Sequence, residues 1–118
     1  MALDTPPRNK TPDEILQELS DWKENKTLIL QFILVKDYGL ESAAQISFQT
    51  RGGRKINSIR ISHLGVISNY IITSHEIKLE SYDSLNDANV SVLEENILKE
   101  RAQLLLDYFD SHPEDRPE

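Results

Sequence analysis

Between Thr27 and Val35 the chain reads Thr-Leu-Ile-Leu-Gln-Phe-Ile-Leu-Val, and no other stretch limits the fold as strongly. A run that is apolar at successive residues has no wet face as a strand, so it demands cover on both sides. Leu28, Leu30, Phe32 and Leu34 would point one way, and Ile29, Ile33 and Val35 the other. The run predicts a central β-strand, ended by the turn residues Asp37-Tyr38-Gly39. It is far short of the roughly 20 apolar residues that span a bilayer.

The segments on either side give the rest of the layout. Residues 1–10 mix Pro6, Pro7, Arg8 and Lys10 with little to bury and read as a flexible arm. Thr11-Pro12-Asp13-Glu14 is a helix start, with a capping hydroxyl, a proline at the first turn and two carboxylates at the positive helix end. Ile15, Leu16, Leu19 and Trp22 recur at helical spacing, Trp22 as a core anchor, and the helix is expected to stop near Asn25. Beyond the apolar run, Ala44, Ile46 and Phe48 alternate with Gln45, Ser47 and Gln49, and Ile59 and Ile61 alternate with Ser58 and Arg60. Gly52-Gly53 and His63-Leu64-Gly65 supply turns, and Val66 to about Tyr82 continues in β-branched, alternating residues. After a polar loop at 83–89, Ser91-x-x-Glu94 has the form of a capping box, with Asn89 as an alternative cap. Leu93, Ile97, Leu98, Ala102, Leu105, Tyr108 and Phe109 then lay an apolar helical stripe.

The predicted fold class is α+β: a four- or five-stranded antiparallel meander flanked by an N-terminal and a C-terminal α-helix. Every strand connection is too short for a parallel crossover. Residues 11–111 form one domain, and 112–118 a flexible acidic tail. Leu30, Phe32, Ile46, Ile61, Leu98 and Leu105 are the expected core.

The chemistry is sparse. The 118 residues contain no cysteine, which removes disulfides, thiolate metal sites and cysteine nucleophiles. His63 and His75 end strands without the spacing of a metal motif, and His112 can meet the negative end of the last helix. No Gly-x-Ser-x-Gly elbow, phosphate-binding loop or calcium loop is present, and Asp83 and Asp87 lack ligand spacing. No catalytic, cofactor or metal-ligating residue is therefore assigned. MALDTPPRNK lacks the apolar stretch of a signal peptide, which points to a cytoplasmic protein without membrane association.

Charge is unevenly spread. The chain carries −7 overall, with −3 over residues 11–26, +3 over 27–62 and −8 over 76–118. Arg51, Arg54, Lys55 and Arg60 surround the Gly52-Gly53 turn and form the candidate partner-binding cluster. Glu94, Glu95, Glu100 and Arg101 read as the solvated side of the last helix. The preferred function is a non-enzymatic binding or regulatory protein acting through protein–protein contacts, as a homodimer, with a second subunit as one way to cover the twice-apolar run. The alternative is nucleic-acid binding through the basic hairpin, though its positive footprint is small for that role. An enzyme whose site is not visible in the sequence ranks third.

Overall fold

The computed structural model describes residues 10–51, 53–84 and 91–118. Within them the chain runs α1 (Pro12–Tyr38), β1 (Gln45–Thr50), β2 (Ile56–His63), β3 (Val66–Ile72), β4 (Ile77–Ser84) and α2 (Ser91–Ser111). A 3₁₀ turn at Pro113–Asp115 follows. The strands form one antiparallel sheet in the order β1-β2-β3-β4. The α+β meander between two helices is thus what the sequence predicted, with four strands.

The apolar run is the exception, because Thr27–Val35 is helical. α1 extends unbroken for 27 residues, or roughly 40 Å at about 1.5 Å per residue. It starts as expected, with the Thr11 hydroxyl accepting from the Glu14 N–H at 3.2 Å. It does not stop near Asn25, because no glycine or proline lies between Pro12 and Gly39. The Thr27 hydroxyl donates back to the Lys23 carbonyl at 2.7 Å, so even the β-branched residue at the supposed boundary accommodates the helix. The first residue able to end α1 cheaply is Gly39, at φ 81°. There the Gly39 and Leu40 N–H groups both turn back to the Leu34 carbonyl, Leu40 at 2.8 Å, and satisfy an acceptor of the last turn.

The strands alternate apolar and polar residues, which puts the whole core on one side of the sheet. Phe48, Ile59 and Tyr70 form one cross-strand row, and Ile46, Ile61 and Ser68 the next, all buried. Opposite them, Ser47, Arg60, Asn69 and Ser81 line up on the other face. Leu30 and Leu34 of α1 and Leu104, Leu105, Tyr108 and Phe109 of α2 complete the buried cluster, so both helices pack on the apolar face. The sheet thus needs only one layer of cover. The β2–β3 hairpin turns on Leu64 and Gly65, at φ 55° and 74°, the paired positive values of a type I′ turn.

Four of the expected core residues, Leu30, Ile46, Ile61 and Leu105, are buried. Leu98 is half-buried. Phe32 is exposed, a direct result of the helical conformation: in a strand it would share a face with Leu30, but in a helix two residues apart means nearly opposite sides. Trp22 is partly buried against the core and meets the Phe48 ring edge-on at 5.9 Å.

The end of the chain is tied to the body. Asp115 is buried and accepts from Lys26 Nζ at 2.9 Å and the Tyr108 hydroxyl at 2.5 Å, while Arg116 Nε donates to the Thr73 carbonyl at 3.0 Å. Asp115 and Arg116 thereby join α1, α2 and the β3–β4 turn. Among the described residues no helix is long and apolar enough to cross a membrane.

Candidate functional site

The uncovered part of α1 is the largest anomaly on the surface. Leu30 and Leu34 face the sheet and are fully buried, whereas Leu28, Ile29 and Phe32 are 71 %, 53 % and 61 % exposed. These three lie on the side of α1 turned away from the core, because helical geometry places them across the axis from Leu30 and Leu34. Lys36 Nζ sits 5.2 Å from the centre of the Phe32 ring, a cation–π contact that leaves much of the ring open. Asp21 and Asn25 continue the same side toward the N-terminus. A second uncovered strip, Ile15, Leu16 and Leu19, prolongs the core-facing side where α1 has nothing beneath it: from Pro12 to Asp21 every side chain except Glu14 is exposed. Asp13 and Glu18 lie beside that strip, Glu18 paired with Lys10 at 2.5 Å.

The basic cluster divides. Arg51, Arg54 and Lys55 line a cleft of about 680 Å³ between the β1–β2 tip and the β3–β4 turn, together with Asn57, Thr73 and Ser74. Arg60 is not among them. It lies on the polar sheet face, where its Nε donates to Asn69 Oδ1 at 2.8 Å. Two of the three cleft cations are also engaged within the fold. The Arg54 guanidinium lies 5.7 Å from the Trp22 ring centre, and Lys55 Nζ donates to the Glu114 carbonyl at 2.5 Å. Arg51 is exposed, and Asn57 Oδ1 is buried without a hydrogen-bond partner at the cleft wall.

Arg101, expected on the wet side of α2, has a structural role instead. It is 5 % exposed. Its guanidinium donates to the carbonyls of Ile61, Val66 and His63 at 3.2, 3.0 and 3.2 Å and to the Ser68 hydroxyl at 2.8 Å. Arg101 therefore clamps the β2–β3 hairpin onto α2, its two terminal guanidinium nitrogens donating where water would otherwise satisfy the carbonyls. Burial pulls its pKa down, and the nearby Tyr70 and Glu41 oppose that shift. The signal was present: Arg101 falls three residues after Leu98 and four before Leu105, on the apolar stripe itself. Glu94, also read as solvated, is buried and accepts from the Ser84 hydroxyl. α2 begins at Ser91, and residues 85–90 before it, which include Asp87 and Asn89, lie outside the described residues, as does Gly52.

Beside Arg101, the end of α1 and the middle of α2 enclose a groove of about 350 Å³ whose wall includes Tyr38, Glu41, Glu100, Leu104 and Asp107. His63 Nε2 lies 2.5 Å from Glu41 Oε2 at the rim. His75 is exposed in the β3–β4 turn, where its N–H donates to Thr73 Oγ1 at 3.3 Å. His112 stacks on Tyr108 at 4.3 Å, with Nδ1 3.0 Å from the Tyr108 carbonyl, so it meets the end of α2 as expected. Burial, reinforced by the Asp115 carboxylate, pushes the Tyr108 hydroxyl well above the usual tyrosine pKa. Among the described residues no three His, Cys, Asp or Glu side chains gather as a metal-ligand set. Compared with known proteins, the chain matches no protein-family model, no curated protein and no solved structure.

Proposed function

We propose that this protein is a non-enzymatic binding module that acts through protein–protein contacts, with the outer side of α1 as its docking element. One observation carries the reading: Leu28, Ile29 and Phe32 are more than half exposed in the middle of a capped helix, across its axis from the fully buried Leu30 and Leu34. Contiguous apolar patches are uncommon on monomeric surfaces and mark contact sites when they occur. Leu28 and Ile29 stand four and three residues before Phe32, spacings that helix-in-groove recognition uses for its anchors. The carboxylates along the first half of α1 make a protein surface a better match than an anionic lipid surface, which favours Lys and Arg at such positions. Nucleic-acid binding has weaker support, since Arg54 and Lys55 already serve internal contacts and Arg60 lies elsewhere.

A photo-cross-linking side chain at Leu28 tests this, with the same group at Gln49, an exposed residue of β1, as the control. A discrete adduct from position 28 and none from 49 supports the reading. Equal yields at both positions, or none at either, overturn it.

A further inference from the structure

The outer side of α1 also specifies which partner fits it. Asp21, Asn25, Leu28, Phe32 and Lys36 follow one another at steps of four, three, four and four residues, so they form one stripe along the helix, with Ile29 beside Leu28. The stripe begins with a carboxylate, is apolar in its middle and ends with an ammonium. Such a pattern is complementary to itself when reversed. A two-fold axis between Leu28 and Ile29 sets Leu28 of one copy against Ile29 of the other and Phe32 against Asn25. It also sets Lys36 against Asp21, twice per pair. A parallel arrangement would instead oppose Asp21 to Asp21 and Lys36 to Lys36, which like-charge repulsion disfavours. The other uncovered strip, Ile15, Leu16 and Leu19, does not show this pattern: the charges beside it, Asp13, Glu18 and Lys10, include a pair already closed within one copy, Lys10 to Glu18 at 2.5 Å.

Resting on the reading of α1 as a docking element, we infer that its partner is a second copy of this chain, paired through antiparallel α1 helices in an isologous dimer. The interface uses only the outer side of one helix per copy between Asp21 and Lys36, so it falls at the small end of specific interfaces, below about 1,200 Å² in total. The dimer should therefore be a reversible one that dissociates on dilution.

The experiment is sedimentation equilibrium or light scattering of the full chain over a range from low micromolar to several hundred micromolar. The expected result is a mass that rises to twice that of the chain, a position-28 adduct of the same doubled mass, and little dimer at the lowest concentration. Phe32→Asp should raise the dissociation constant about tenfold or more, as loss of a central anchor does. Circular dichroism and unchanged unfolding would show that this exposed change leaves the fold intact, and Leu28→Gln provides a milder second variant. Lys36→Asp and Asp21→Lys should each weaken the dimer, while the double exchange restores it. A chain that stays monomeric at several hundred micromolar overturns the inference, as does dimerisation indifferent to both Phe32→Asp and Leu28→Gln. A double exchange that fails to restore pairing overturns the antiparallel arrangement. A position-28 adduct of some other mass, or association with lipid vesicles in place of self-pairing, also overturns the second copy as partner. The other-mass protein adduct would leave the docking role of α1 standing, whereas no adduct removes both.

Discussion

The two long helices treat their residues in opposite ways. α2 buries an arginine at its centre, while α1 leaves a phenylalanine of its apolar run in water. Side-chain hydrophobicity alone would have predicted the reverse. The difference lies in what each helix rests on. α2 lies against β3 and β4, where the carbonyls of a tight hairpin point at it, and a guanidinium is the one side chain that can satisfy several at once. α1 meets the sheet mainly at its β1 edge and touches α2, so only the side carrying Leu30 and Leu34 finds cover. Burial follows position against the sheet, and chemistry adapts to it.

The sharpest way to break this comparison is within α1 itself. Leu30→Ala should cost about 2–5 kcal/mol, the range for truncating a buried leucine, while Phe32→Ala, two residues away, should change the stability of the monomer by no more than about 0.5 kcal/mol. Denaturant unfolding at low protein concentration measures both; similar losses would mean that α1 is covered on both sides. On α2, Arg101→Ala should cost about 2–4 kcal/mol, because carbonyls of Ile61, Val66 and His63 lose their donor inside the fold. Replacing the neighbouring Glu100 by alanine should stay within about 0.5 kcal/mol, since that residue is exposed.

A smaller effect should appear with pH where the chain end joins the two helices. The Tyr108 hydroxyl is held protonated in the folded state, above the unfolded value near 10. The folded chain therefore binds more protons at alkaline pH than the unfolded one. Its contribution is present in full below pH about 10 and is lost as pH rises beyond, by at most about 1.4 kcal/mol per unit. Tyr108→Phe should lower stability by about 1 kcal/mol at neutral pH, through loss of the bond to Asp115, and should flatten the alkaline decline. An alkaline slope identical to that of the unaltered chain would show that Tyr108 is not the group responsible; Tyr70, also raised by burial, would then be the next to replace.

The smallest expected effect belongs to the basic tip. Changing Arg51, Arg54 and Lys55 to serine together should cost no more than about 1 kcal/mol, the share of exposed ion and cation–π contacts. If the cleft steers an acidic partner, the triple variant should also associate more slowly and with a flatter salt dependence. Unchanged rate and salt slope would leave these residues with their internal contacts to Trp22 and Glu114 alone.

Much of this architecture could be read from local signals. The Thr11 cap, the alternation of Ile46, Phe48, Ile59 and Ile61, and the stripe from Leu98 to Phe109 each depend on residues within a few positions of one another. Their periods of two and 3.6 are set by backbone geometry before any tertiary contact forms. Thr27–Val35 had no such period, and an apolar run interrupted only by Gln31 satisfies a strand or a helix equally. There the outcome was decided by the absence of a stop signal before Gly39 and by the single-sided sheet, which had room for one covering helix face. The candidate site was legible only in part for the same reason. Arg51, Arg54 and Lys55 are neighbours in sequence and remain neighbours in space, but Arg60 is carried to the polar face by strand alternation. Arg101 acquired its role from hairpin carbonyls more than thirty residues away. The sequence by itself determined which segments could turn, cap and alternate, because those preferences are local. Only the tertiary structure decided which apolar residues would be left in water, because burial depends on what the rest of the chain places opposite them.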